Sequence, residues 1–125
     1  MDQSAIRTDI FTYLAANWSA TPIAYPNHSF EDTDDAWIRP SIKMASAIYG
    51  DTVIDEEYGI LFIDVFVPQK TGTLVAFSHA DDLRVLFRRK SLSDIYFDSV
   101  SIIDLGEVSL FYQVQVQAHF LNFLA

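Results

Sequence analysis

Between Tyr58 and Pro68 the chain reads Tyr-Gly-Ile-Leu-Phe-Ile-Asp-Val-Phe-Val-Pro. Laid out as a strand, Leu61, Ile63, Val65 and Val67 share one face. The other face carries Tyr58, Ile60, Phe62 and Phe66, broken only by Asp64. A strand that is apolar on both faces has to be covered on both faces. A chain of 125 residues has little material for a second covering layer, so a partner protein is the simplest candidate for one side.

The flanking segments change period. Ile6, Ile10, Tyr13, Leu14 and Trp18 fall at i, i+4, i+7, i+8 and i+12, one stripe of an amphipathic helix over the first eighteen residues. Asp2 or Ser4 can cap its start, and Asn17 is a plausible stop. Residues 19 to 36 form a connection: Pro22 and Pro26 impose extended geometry, and Glu31, Asp32, Asp34 and Asp35 make an acidic, solvated loop. Residues 37 to 48 alternate as a strand, with Ile38, Ile42 and Met44 on one face and Trp37, Arg39, Ser41 and Lys43 on the other. Pro40 has no amide donor, which places it on an edge or at a bulge.

Residues 49 to 57, with Gly50, Asp51, Asp55, Glu56 and Glu57, predict a long mobile hairpin loop. A second helix starts at Thr73 or Ser78 and runs to Arg89, with Ala76, Ala80, Leu83, Leu86 and Phe87 facing the core. Ser78 to Asp81 reads as a capping box or as mid-helix residues. Residues 95 to 104 form another strand, and Gly106 marks the turn after it. Residues 108 to 121 alternate almost perfectly, with Val108, Leu110, Tyr112, Val114, Val116, Ala118 and Phe120 on one face and Ser109, Phe111, Gln113, Gln115, Gln117 and His119 on the other. The predicted fold is a single α+β domain over residues 1–125. It has two layers: a mainly antiparallel sheet of four to five strands, with two helices packed on one face.

Composition narrows the function. Half the residues are apolar, which argues against disorder. There is no cysteine, so disulfide frameworks, zinc–cysteine sites and thiol catalysis are excluded. No apolar run approaches the roughly 20 residues of a membrane span, and the N-terminus lacks the features of a signal peptide. A net charge of −9 disfavours sequence-independent DNA binding, although it also keeps a nearby polyanion from sticking.

No active site emerges. His28, His79 and His119 lie far apart in the sequence; His79 with Asp82 is an i, i+3 pair that more often solvates a helix than binds a metal. The acidic segments lack the glycine turn and closing glutamate of a calcium loop, and the four glycines form no phosphate cradle. The reading is therefore of a protein that is not an enzyme and needs no cofactor. Arg88, Arg89 and Lys90 are the one basic cluster, matched to a helix C-terminus or to the acidic loops of a neighbouring subunit. Gln113, Gln115 and Gln117 are either an exposed sheet face or a wet subunit contact.

Several segments in this order resemble the tail terminator-like proteins of long-tailed bacteriophages and prophages. They are the N-terminal helix to Trp18 followed by Thr21-Pro22-Ile23-Ala24-Tyr25-Pro26-Asn27, the strands around Trp37 and from Tyr58 to Pro68, the helix with Ala80-Asp81 and Leu86-Phe87, and the final strand ending in His119-Phe120. The resemblance implies a structural ring, typically of six subunits, that caps the tail tube at its head-proximal end, stops its growth and forms part of the head–tail junction. The implied partners are other copies of the chain, the tail tube protein and the head–tail connector protein, with DNA passing through the lumen unbound. The implied location is the virion tail, with assembly in the host cytoplasm. On that reading Phe62, Phe66 and Phe111 contribute one contact patch, Arg88, Arg89 and Lys90 another, Asp64 sets register, and Asp51, Asp55, Glu56 and Glu57 form a mobile assembly loop. The alternatives are another head–tail joining or head-closure protein, or a small-molecule-binding domain.

Overall fold

In the computed structural model, which describes residues 3–29, 35–49 and 52–123, the N-terminal stripe forms helix α1, Gln3–Asn17. Ile6, Ile10, Leu14 and Trp18 are all buried, as a 3.6-residue period requires. Helix α2, Thr73–Phe87, buries Ala76, Ala80, Leu83 and Phe87. It begins directly after Gly72, so Ser78 is a mid-helix residue and no capping box forms there. Neither helix is long and apolar enough to cross a membrane.

Both helices pack on one face of a five-stranded antiparallel sheet, ordered β1-β2-β5-β4-β3. The strands are β1, Trp37–Tyr49; β2, Thr52–Pro68; β3, Ser91–Leu92; β4, Ile95–Val108; and β5, Phe111–Phe123. Leu61, Ile63, Val65 and Val67 of β2 meet Val114, Val116, Ala118 and Phe120 of β5 in one core beneath the helices. The two helices also hold each other: the Tyr13 hydroxyl donates to the Leu86 carbonyl at 2.7 Å, and the Tyr13 ring lies edge-on to Phe87. This is the predicted α+β plan of a sheet with helices on one side.

Three local expectations are overturned. Residues 52 to 57 are strand, not loop: Glu57 pairs with Ser46 on one side and Asn122 on the other, and Glu56 pairs with Phe123. Pairing on both sides satisfies the backbone groups there and outweighs the weak strand preference of acidic residues. Asp51 lies outside the described residues, as do Glu31, Asp32 and Asp34. Gly106 is not the hairpin turn; it sits at a bulge inside β4 with φ +84°, its amide bonded to the Asp104 carboxylate at 3.0 Å. The turn is Ser109-Leu110, with Ser109 left-handed, and Val108 pairs with Phe111. Finally, α2 stops at Phe87. Arg88 is the extended residue capping its end, and Arg89 has φ +56°.

β1 is an edge strand, which is why Pro40 is tolerated there. Among the described residues, backbone covers that edge from outside at Ile38. The Ile38 amide donates to the Pro22 carbonyl and the Ala24 amide to the Ile38 carbonyl, a short parallel bridge made by the connection.

Candidate functional site

The face of the sheet away from the helices is built in rows by the strand register. At one end Trp37 lies beside Phe66, and Phe111 opposes Pro68 in the neighbouring pair. Trp37 stacks on Phe66 with ring centres 4.3 Å apart, and Phe111 stands edge-on to both at 6.1 and 6.3 Å. The Arg39 guanidinium lies 5.1 Å over the Phe66 ring. Phe66 is consequently only 4% exposed. Its cover is supplied by its own chain, and it offers almost no free surface to a partner.

The next row is Arg39–Asp64–Gln115. Asp64 is buried, and among the described residues its hydrogen bonds are all with the neighbouring strands. Gln113 and Gln115 donate from their Nε2 atoms to Oδ1 at 2.8 and 3.0 Å, and Arg39 donates to Oδ2 at 3.3 Å. Gln117 donates in turn to Gln115 Oε1 at 2.8 Å. A buried carboxylate needs such donors to offset its lost hydration. Asp64 thus fixes the register of three strands within one chain, whatever it does between chains.

Beyond it run Ser41–Phe62–Gln117 and Lys43–Ile60–His119. Phe62 is half-buried, and among the described residues no ring packs against it. A concavity of about 430 Å³ lies at this end, between Lys43, Tyr58, Ile60, Asp98 and His119 among others. Chemically the face offers neutral amides, the half-buried rings of Trp37, Phe62 and Phe111, the exposed Tyr58 and a scatter of exposed charges. Among the described residues, no three His, Asp or Glu side chains gather where they could hold a metal.

The other sequence candidates lie elsewhere. Arg88 and Arg89 are exposed just past α2, in the helix layer, and Lys90 reaches back over the Tyr13 ring at 5.1 Å. The structure does not bring this cluster to Phe62. Asp55, Glu56 and Glu57 lie in β2. At the opposite tip, the Tyr112 hydroxyl donates to Asp104, and that hydrogen bond holds the phenol above its ordinary pKa. Alternation had placed Trp37, Arg39 and the glutamines on the correct face. What it could not supply was the register that puts Trp37 on Phe66 and Arg39 on Asp64.

A family model described as phage tail terminator protein matches residues 4–104 of this chain. A search of curated protein sequences found no match. Nine solved chains match in fold. One of them superposes with a TM-score of 0.77 at 20% sequence identity, covering 100% of this chain and 98% of that one. At that identity the likeness speaks for the fold alone.

Proposed function

This chain belongs to the phage tail terminator proteins, structural proteins of tail morphogenesis, and from that premise we propose that it caps the head-proximal end of the tail tube as a closed ring, stops tube growth there and forms part of the head–tail junction. The observation that carries the reading is the reach of the family match, which runs from α1 into β4 and takes in both helices and every core strand except β5. The geometry supports it with a sheet face that no helix covers and on which Phe62 stays partly open. Neutral amides beside half-buried rings suit a contact that forms during assembly and tolerates water.

The partners on this reading are further copies of the chain, the tail tube protein and the head–tail connector protein. The exposed Arg88 and Arg89 give the helix layer a second, basic patch for one of them. DNA passes through the ring without being bound, and a net charge of −9 keeps the phosphates from adhering. The protein resides in the virion tail after assembly in the host cytoplasm.

Deleting the gene from the phage or prophage that carries it tests the assignment. Electron micrographs should show overlong, headless tails, and supplying the chain in trans should restore normal length. Tails of normal length lying detached from filled heads would instead identify a joining protein.

A further inference from the structure

We infer that the ring closes by joining sheet edges, with β4 of one copy pairing with β1 of the next. This rests on the ring reading above and names the surfaces that make it. Among the described residues the sheet has two edges that are largely open. Along β1 the outside bridge ends at Ile38, and the alternation set by the outward amide and carbonyl of Ile38 directs those of Ile42 and Met44 outward as well. Along β4, β3 pairs only with Ile95 and Tyr96, and the Phe97 amide is taken by the Lys90 carbonyl. From Asp98 to Val108 no strand among the described residues lies outside β4. An exposed row of unpaired backbone groups is a template for another strand.

Charge says which strand that is. β1 carries Arg39 and Lys43 and no acid, whereas β4 carries Asp98, Asp104 and Glu107 and no base. All five side chains are exposed. A two-fold dimer through either edge would set like charges against like, β1 on β1 or β4 on β4. Arg39 and Lys43 stand in the open-face rows and Asp98 lines the concavity there with Lys43, whereas Asp104 and Glu107, opposite Val114 and Tyr112, project on the helix side. Only the head-to-tail combination can set Lys43 against Asp98, and a head-to-tail contact is the kind that generates rings.

Strand direction agrees. The pairs β1/β2, β2/β5 and β5/β4 are all antiparallel, so β1 and β4 run in opposite senses. A copy rotated about an axis along the strands therefore lays its β1 antiparallel to β4, and the ladder continues without a reversal. The covered ends, Ile38 on β1 and Ile95-Tyr96 on β4, sit at opposite ends of the sheet, leaving the middle of both edges free to meet.

The chain has no cysteine, so engineered pairs can test the contact cleanly. Within one copy, Ser41 and Ser101 are three strands apart, about 14 Å at the usual strand spacing and beyond the reach of a disulfide. Any bond between them is intermolecular. Four double variants of the full chain are made, joining Ser41→Cys or Lys43→Cys on β1 to Ser101→Cys or Ile103→Cys on β4. Each is used to complement the deletion, and tails are purified under mild oxidation. At least one pairing should give a ladder of covalent multimers on a non-reducing gel that collapses on reduction. Tails of normal length with the chain at their ends, yet monomer only in all four, would overturn the edge contact and leave the ring reading standing. Wild-type chain absent from tail ends would remove the ring reading, and this inference with it.

Discussion

Phe66→Ser and Phe62→Ser, made separately, should fail in different ways. Phe66 is 4% exposed, stacked on Trp37 and edge-on to Phe111. Burying such a side chain contributes about 1.5–3 kcal/mol, and each ring pair about 0.5–1.5 kcal/mol more. The loss on truncation is then about 3–5 kcal/mol, the range of large-to-small changes in a core. For 125 residues the entropy of unfolding is about 260 cal/mol/K, so each kcal/mol moves the melting point by ~4 °C. Phe66→Ser should melt about 12–20 °C lower. Phe62 is half-buried between Ser41 and Gln117 and has no ring partner among the described residues. Its truncation should cost about 1 kcal/mol, or ~4 °C.

Thermal unfolding followed by circular dichroism, on the free chain at low concentration, reads the first difference. Complementation of the gene deletion at a temperature where both variants are folded reads the second. Phe62→Ser should fold and fail to restore tail length. Equal melting shifts would mean that Trp37 and Phe111 do not cover Phe66 in the free chain. Full complementation by Phe62→Ser would take this face out of the assembly.

Two further substitutions probe what holds the face in shape. Asp64→Ala removes the acceptor of Gln113 and Gln115 and should cost about 2–4 kcal/mol in urea unfolding, whereas Asp64→Asn keeps an acceptor oxygen and should cost about 1 kcal/mol. Arg39, with half its side chain in solvent, rehydrates in either case and adds little; equal losses for the two variants would refute the network. Gly59→Ala would place a Cβ 2.6 Å from Phe120 Cζ, 2.8 Å from the Lys43 carbonyl and 2.9 Å from Met44 Sδ. The carbonyl belongs to the β1–β2 ladder and cannot yield as a side chain does, so a loss of about 2–3 kcal/mol is expected, and a neutral result would place β1 further from β2 than described.

The elements were legible because their apolar periods were long. The helix stripes ending at Trp18 and Phe87 and the alternation of residues 111 to 120 are repeats that local sequence carries whole. The misreadings fell where non-local pairing decides. Acidic residues 56 and 57 look like loop until β5 is seen to run beside them. Gly106 looks like a turn until β4 is seen to continue past it on a bulge, with the reversal left to Ser109. The same blindness shaped the reading of the site. Phe62 and Phe66 are equivalent in sequence, both aromatic and both outward, and only the register gives one of them Trp37 and leaves the other beside Ser41.

The placement of Asp64 follows from that asymmetry. A leucine at this position would be cheaper to bury, since a lone carboxylate loses several kcal/mol of hydration. It would also join Phe62, Phe66, Trp37 and Phe111 into one continuous apolar patch on an uncovered sheet face, which invites uncontrolled association. With Asp64 in the middle, the aromatic cluster closes on itself at one end. Arg39 balances the buried charge, and the glutamines that satisfy the carboxylate spread a neutral, hydrogen-bonded surface across the centre. What remains open beyond that cluster is the half-buried Phe62 with the exposed Tyr58, and two strand edges of opposite charge. Each is too small to hold copies together alone, so stable association requires several contacts at once, which a closed ring on a tube end provides.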